Sequence, residues 1–298
     1  MAWRTVYLEK QTKLWLSRNN LHFYHDEEEL SIPIEDIDTL IIDNHGTTLT
    51  TNLIDSLANQ EVSIIICDSS HLPSTIITPY AKHSRQAKIS RDQLNMKLPM
   101  KKQLWQINVT QKILNQAAVL KYFGLDNTEL IKLSKLVKSG DTSNCEAIAA
   151  RLYFDQLLSD STRRQPTWCN SALDYGYSIV RSAIARSVAS HGLISSLGIF
   201  HHNELNNFNL VDDLIECYRP FVDLFVMKLF YQKLFSDETE YFLSKDDRYK
   251  LIQVINETVS IRNLKYSIKN SIDIIVESFI ASFQTENIEL FELPKLIS

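Results

Sequence analysis

The run VSIIIC, residues 62–67, is short, apolar and β-branched without alternation, the pattern of a strand buried on both faces. Upstream of it lie more strand-like pieces, WRTVYL, KLWL, LHFYH, LSIPI and TLIID, rich in β-branched and aromatic residues. Asn19-Asn20 falls between two of them as a hairpin turn, and His25 to Glu29 makes a charged connection. Thr51–Asn59 predicts the helix of this unit, with a threonine cap and Leu53, Ile54 and Leu57 on one face. Downstream, Pro73 and Pro79 mark the exit, and the periodicity changes.

From Lys101 to Phe123 the apolar residues Leu104, Ile107, Ile113, Leu114, Val119 and Leu120 recur at helical spacing. Asn127 and Thr128 open a second helix that runs through Leu136 and stops at Gly140. SNCEAIAARLYFDQLL, Asn170 to Ser190, FVDLFVMKLFYQKLF, DRYKLIQVINETV and SIKNSIDIIVESFIASF read as further helices, and the last residues as a frayed tail. The expected fold class is therefore α+β: an N-terminal β-rich domain, residues 1–80, followed by a larger all-α domain, residues 81–298.

A hydrophobic content of 44% with only 6 Gly and 7 Pro in 298 residues describes an ordered chain able to bury a substantial core. MAWRTVYLEK lacks an apolar signal region, and there is no run of about eighteen apolar residues, so a soluble, cytoplasmic protein with no membrane partner is expected. Cys67, Cys145, Cys169 and Cys217 form no CxxC pair and read as buried free thiols in a reducing compartment.

The net charge of -5 hides segregation: residues 1–80 carry -8, residues 81–140 carry +9, and residues 141–298 carry -6. The basic stretch, with Lys82, Arg85, Lys88, Arg91, Lys97, Lys101 and Lys102, is a candidate footprint for a polyanion. A solvated helix face is the competing explanation, although such faces mix both signs.

Chemistry concentrates in GIFHHNELNNFNLVDDLIECYRP, residues 198–220, which brings two histidines, two aspartates and two glutamates into one turn-rich connection. Gly198 frees the backbone, and a short helix follows from Asn209 or Leu210 that Pro220 closes. Asp212 and Asp213 are four and three residues before Glu216, so carboxylates share a face. Loop imidazole and helical carboxylate together suit Mn²⁺, or Mg²⁺ with extra waters. The alternative is structural: His202 solvated, Asp212 at a helix start, Glu216 paired with Arg219.

A second acid, Glu146, opens SNCEAIAARLYFDQLL. Ser143-x-x-Glu146 fits a capping box, in which the glutamate reaches back to the cap amide. Ala147, Ala149 and Ala150 would equally let another element approach closely, as a shared metal site requires.

Several motifs occur in order: the opening WRTV, the ICD of residues 66–68 with a downstream LP and TPY, KILNQ at 112–116, EAIAARLYF at 146–154, LDYGY at 173–177, GIFH, and FNLVDDLIECYRP at 208–220. With them the chain resembles the CRISPR-associated integrase family, the nuclease-like enzymes of spacer acquisition, and is most similar to its type II members. The resemblance implies a β-rich dimerisation domain and a helical catalytic domain. It also implies a divalent metal, Mg²⁺ or Mn²⁺, held by Glu146, by His201 as the histidine of G-x-x-H, and by Glu216 as the acid of the family's D-L-M-E-P-F-R-P. Here that motif reads DLIECYRP, with Cys217 in place of proline. His201 is preferred over His202 on register, and Asp213 is a candidate supporting or alternative ligand.

The activity so implied inserts spacer DNA into the CRISPR repeat by transesterification, a DNA 3′-hydroxyl attacking a phosphodiester. The implied partners are double-stranded DNA, a second copy of the chain, a dimer of a small companion adaptation protein completing a heterohexamer, and further type II adaptation proteins. Arg85, Lys88, Arg91, Lys112 and Arg181 are the candidate DNA contacts. One rival reading is a structure-specific metal-dependent nuclease acting on branched DNA. Another is a non-catalytic scaffold whose acids serve as caps and salt bridges.

Overall fold

Alternation of apolar and polar residues builds two small sheets at the start of the chain. The computed structural model describes residues 4–25, 28–69, 71, 73–77, 85–158, 162–232 and 242–296. The chain divides into two units, residues 1–84 and 85–298. Pro79, Lys82 and the boundary expected at residue 80 lie outside the described residues.

In the first unit β1 (Arg4–Leu8), β5 (Ile37–Ile42) and β7 (Ser63–Cys67) run parallel, and β8 (Pro73–Ile77) closes the sheet antiparallel to β7. The second sheet is a meander of β2 (Lys13–Ser17), β3 (Asn20–His25) and β4 (Glu28–Pro33), with the short β6 (Thr48–Leu49) parallel to β2. Helix α1 (Thr51–Asn59) is capped by Thr50, whose hydroxyl accepts from the Leu53 amide at 3.3 Å. Leu53 and Leu57 then join Leu14, Leu21, Leu40 and Ile64 in one apolar core. The VSIIIC segment is buried on both faces, as its composition predicts. Pro73 begins an edge strand that the sequence reading took for an exit; at the first position of an edge strand its missing N–H costs nothing. The hairpin turn is one residue earlier than expected, because Arg18 and Asn19 both take positive φ, 49° and 63°, as a type I′ turn demands.

The second unit is mostly helical, in agreement with the expected fold class: α2 (Gln86–Leu94), α3 (Leu98–Tyr122), α4 (Thr128–Leu136), α5 (Cys145–Leu157), α6 (Trp168–Ser190), α7 (Asn209–Ile215), α8 (Arg219–Tyr231), α9 (Lys245–Ile252) and α10 (Ile268–Gln284). Three local features differ from the sequence reading. Pro220 opens α8 instead of closing α7, since at the first turn of a helix proline loses no hydrogen bond. The helix expected through Val259 stops at Ile252, and a hairpin of β9 (Thr258–Ile261) and β10 (Leu264–Ser267) follows, turning on Arg262 and Asn263 at positive φ. The tail is tied down, not frayed: Lys295 and Ser260 exchange backbone hydrogen bonds at 2.9 and 2.8 Å, and the Leu296 amide donates to Asn115.

Gly176 lets α6 meet α8, for a Cβ there would lie 2.6 Å from Val222 Cγ1. All four cysteines are buried thiols. Among the described residues no helix is long and apolar enough to cross a membrane.

Candidate active site

The centre is built on α3, whose face toward α5 and the α7–α8 connection is polar although buried. Asn108, Lys112, Asn115 and Gln116 are all less than a tenth exposed, while Leu114, expected on the buried stripe, is 39% exposed. Asn108 donates to the Asp213 carbonyl at 2.6 Å, and Asn115 donates to the carbonyls of Cys217 and Pro294 at 3.0 and 2.9 Å. The bonds to Asp213 and Cys217 pin the backbone where α7 ends and α8 begins, and the bond to Pro294 ties in the C-terminal segment.

Lys112 occupies the middle of this face. Its Nζ donates to Glu146 Oε1 at 2.6 Å and to Glu216 Oε2. Burial opposes the ammonium charge, but the two glutamates outweigh it and raise the Lys112 pKa. Glu216 follows the last residue of α7 and also accepts from Arg219 Nε at 2.8 Å. Burial works against its charge too, and the cations of Lys112 and Arg219 prevail, holding the carboxyl down at about 2.

Glu146 is free to reach Lys112 because another residue caps its helix. Asn144, in the left-handed region at φ 52°, is the N-cap and makes no side-chain cap bond. Asp141 instead reaches the first turn, accepting from the amides of Cys145 and Glu146 at 2.9 Å each. The capping box expected from Ser143 and Glu146 is therefore not formed; the extra loop residue moves Glu146 from the third helical position to the second.

His201 is held by Asp213, which is completely buried. One Asp213 carboxylate accepts from the amides of Ile199, Phe200 and His201, and lies 2.8 Å from His201 Nδ1. Only glycine fits at the start of this turn, since a Cβ on Gly198 would lie 2.2 Å from the His201 carbonyl and 2.7 Å from Asp213 Oδ2. The bond from Asp213 raises the His201 pKa against an opposing effect of burial, with the charges of Asp213 and Glu216 adding to the rise. Trp105 packs edge-on to the imidazole at 5.7 Å and stacks on Phe200 at 4.4 Å. His202 turns outward, its Nδ1 2.9 Å from the Phe200 carbonyl.

The structure thus brings Glu146 and Glu216 together on one cation, with His201 within electrostatic reach of Glu216. Among the described residues no three acidic, imidazole or thiol side chains close on one point as a preformed metal cage. Residues 6–257 match the family model described as CRISPR associated protein Cas1. The CRISPR-associated endonuclease Cas1 of Neisseria meningitidis serogroup C (strain 8013) is 39% identical over 300 residues, spanning 100% of this chain and 97% of that protein. The chain belongs to the Cas1 family. Among solved structures, a casposase bound to integration product superposes with a TM-score of 0.80 at 19% identity, covering 95% of this chain and 91% of that one. A chain of a Cas6-RT-Cas1–Cas2 complex superposes with a TM-score of 0.77 at 18% identity, over 100% of this chain and 36% of that one. At such identities these two likenesses establish a shared fold.

The other candidate residues of this Cas1 family member lie apart. Arg85, Lys88 and Arg91 are exposed on or beside α2. The buried side of that helix is anchored by Gln93, which donates to the carbonyls of Ile194 and Leu197 at 3.0 and 2.9 Å. Arg181 grips Asp212 with two nitrogens, the second at 3.0 Å, and stacks on Phe208 at 4.8 Å, so it braces the loop between His201 and α7. Asp212 is thus engaged by Arg181 and by Asn206, whose Nδ2 donates to it at 2.7 Å. Lys112, a candidate DNA contact by sequence, in addition holds the two acids, a role signalled by the spacing of Asn108, Lys112 and Gln116 at every fourth position.

Beside Lys112 and Glu216 opens a cavity of about 480 Å³, lined also by Gln116, Arg163, Tyr177 and Asp223. Asp223 accepts from the hydroxyls of Tyr153, at 3.0 Å, and Tyr177. Burial pushes its carboxyl up to about 6, against the lowering effect of those two hydroxyls.

Proposed function

We propose that the chain is a divalent-metal-dependent DNA integrase and endonuclease of CRISPR adaptation, joining a DNA 3′-hydroxyl to a phosphodiester of the repeat. The observation that carries this reading is the meeting of Glu146 and Glu216, from two distant helices, on a single cation. Two carboxylates already arranged to share a cation, with an imidazole nearby, are donors that suit Mg²⁺ or Mn²⁺. Glu146, Glu216 and His201 would hold it.

When bound, such a cation supplies Lewis acidity, easing deprotonation of the attacking hydroxyl and neutralising charge on the phosphate. The chain's own residues prepare the place. Asp213 takes Nδ1 of His201, which leaves Nε2 as the nitrogen available to a ligand and fixes the ring's direction. Arg219 keeps Glu216 ionised from the side away from the ammonium. Arg163 and Arg219, lining the cavity, place positive charge where a phosphodiester would lie. In the reaction one P–O bond forms and another breaks, so no nucleotide hydrolysis is needed.

We assign double-stranded DNA as substrate, with a second copy of the chain and a dimer of a small Cas2-type companion as partners; the likeness to a Cas1–Cas2 complex supports the latter. The test is an assay of labelled 3′-hydroxyl DNA with repeat DNA and with branched DNA, in Mn²⁺, Mg²⁺ or chelator. Joined product that needs both metal and Glu216 is expected. Cleaved branches without joining would favour the nuclease reading, and product in chelator would overturn both.

A further inference from the structure

Lys112 stands where a divalent cation would have to be. Its side chain is 9% exposed, between Glu146 at 23% and Glu216 at 8%, so its ammonium is the nearest neutralising charge the two acids share. One turn along α3, Gln116 is 2% exposed and lines the same cavity. Its Oε1 is buried and, among the described residues, accepts no hydrogen bond. Residues four apart on a helix are side-chain neighbours, so an acceptor without a donor lies next to a donor held elsewhere.

We propose that Lys112 is a displaceable counter-ion of the metal site: its ammonium bridges Glu146 and Glu216 in the metal-free protein, and on metal loading it moves to Gln116 Oε1. The proposal rests on the reading of Glu146, His201 and Glu216 as the cation-holding set. Without a cation, two carboxylates in a poorly hydrated site repel, and Lys112 bridges them and holds them in place. A flexible four-carbon stem lets the ammonium swing by one helical turn without moving the backbone. Gln116 gives the displaced donor a buried partner. The cavity then holds more positive charge with metal than without it, so metal loading and attraction of a DNA phosphate are coupled. Lys112 is a positioning residue in this scheme.

The test is calorimetric Mn²⁺ titration of the full chain without DNA, together with melting in the presence and absence of Mn²⁺. Lys112→Met is expected to bind Mn²⁺ at least tenfold more tightly than the parent, to melt lower without metal, and to gain more from it. Lys112→Arg should bind at least tenfold more weakly, because a guanidinium bridging two carboxylates is harder to displace. Gln116→Leu should melt no lower without metal yet bind Mn²⁺ several-fold more weakly. A purely structural lysine predicts lower melting in both Lys112 variants and no gain in affinity. Parent-like affinity in Lys112→Met overturns the proposal and leaves the metal site standing; if that variant does not fold, parent-like affinity in both Lys112→Arg and Gln116→Leu overturns it. Parent Mn²⁺ binding that survives Glu216→Gln unchanged places the cation elsewhere, and overturns the site reading and the displacement together.

Discussion

His201 Nδ1 lies 2.8 Å from Oδ1 of Asp213, a carboxylate with no exposed surface. The same group accepts three successive backbone amides, so a single buried acid sets both the turn and the ring. Asp213→Asn replaces one acceptor oxygen by a donor that faces those amides. Stability should fall by about 1–3 kcal/mol, measured by urea denaturation. Joining should fall by about 10–100-fold, as is usual when the partner of a ligating histidine is lost. A variant that melts lower but joins at the parent's rate would confine Asp213 to the turn.

Glu146 and Asp141 divide between them two tasks that the sequence assigns to Glu146 alone. Asp141 caps α5, so Asp141→Ala should cost about 1 kcal/mol of stability. Glu146→Gln keeps the shape and leaves the cap intact, so it should melt near the parent while joining is lost. Glutamine is a poor ligand for a hard cation. The pair of variants measured side by side by thermal melting and end joining decides it: a large melting loss for Glu146→Gln would return that residue to a structural role.

Asp223 makes the helical unit sensitive to pH in a direction opposite to most paired carboxylates. Burial raises its folded-state pKa to about 6, above the ordinary aspartate value of 3.8. Between these values the folded state binds more protons than the unfolded one, so this group's contribution to stability falls as pH rises from about 4 to about 6. A shift of this size corresponds to about 3 kcal/mol. Asp223→Asn removes the titration while keeping the size. Urea denaturation of both proteins should therefore show the variant gaining on the parent between pH 4 and pH 7. A constant gap would mean that Tyr153 and Tyr177 compensate the buried charge fully.

Much of the architecture is legible in local pattern, and the misses have physical reasons. The switch from period two to helical period gives the order of strand-rich and helical parts, and Thr50 before Leu53 and Leu57 marks α1 correctly. The β9–β10 hairpin is hidden because KLIQVI before it is helical and apolar, yet its Arg262-Asn263 turn repeats the Arg18-Asn19 turn of the second sheet. In the centre, the order of motifs pointed to Glu146, His201, Asp213 and Glu216, while geometry alone shows which of them meet. Charge groups Lys112 with the candidate DNA contacts, because a sequence does not record that two acids from other elements arrive at its tip. The pairing of Arg181 with Asp212 was invisible for the same reason.

Arg85, Lys88 and Arg91 remain the test of the basic segment, and all three are exposed on or beside α2. Changing all three to Ala should weaken DNA binding equally across sequences. The slope of log affinity against log salt should flatten by about one per lost phosphate contact. Binding measured by fluorescence anisotropy at several salt concentrations gives the slope directly. An unchanged slope would take α2 out of the interface.

The last prediction concerns Glu146, His201 and Glu216 as one unit. The first and third meet on Lys112, and the second is aimed by Asp213 from the turn that leads into α7. If three side chains hold one cation, removing any one disables the site and removing the others adds little. Single changes to Ala should each abolish joining, and the triple variant should be no worse than the singles by more than a small factor. Free energies that add in full would mean independent roles. The neighbouring histidine supplies the control, since His202 is exposed and its ring bonds back to the Phe200 carbonyl. His201→Ala should weaken Mn²⁺ binding in the absence of DNA, and His202→Ala should leave both Mn²⁺ binding and joining close to the parent. Calorimetric titration with end joining on both variants separates the cases: equal losses would indicate a shared role, and loss confined to His202→Ala would move the ligand to the outward ring.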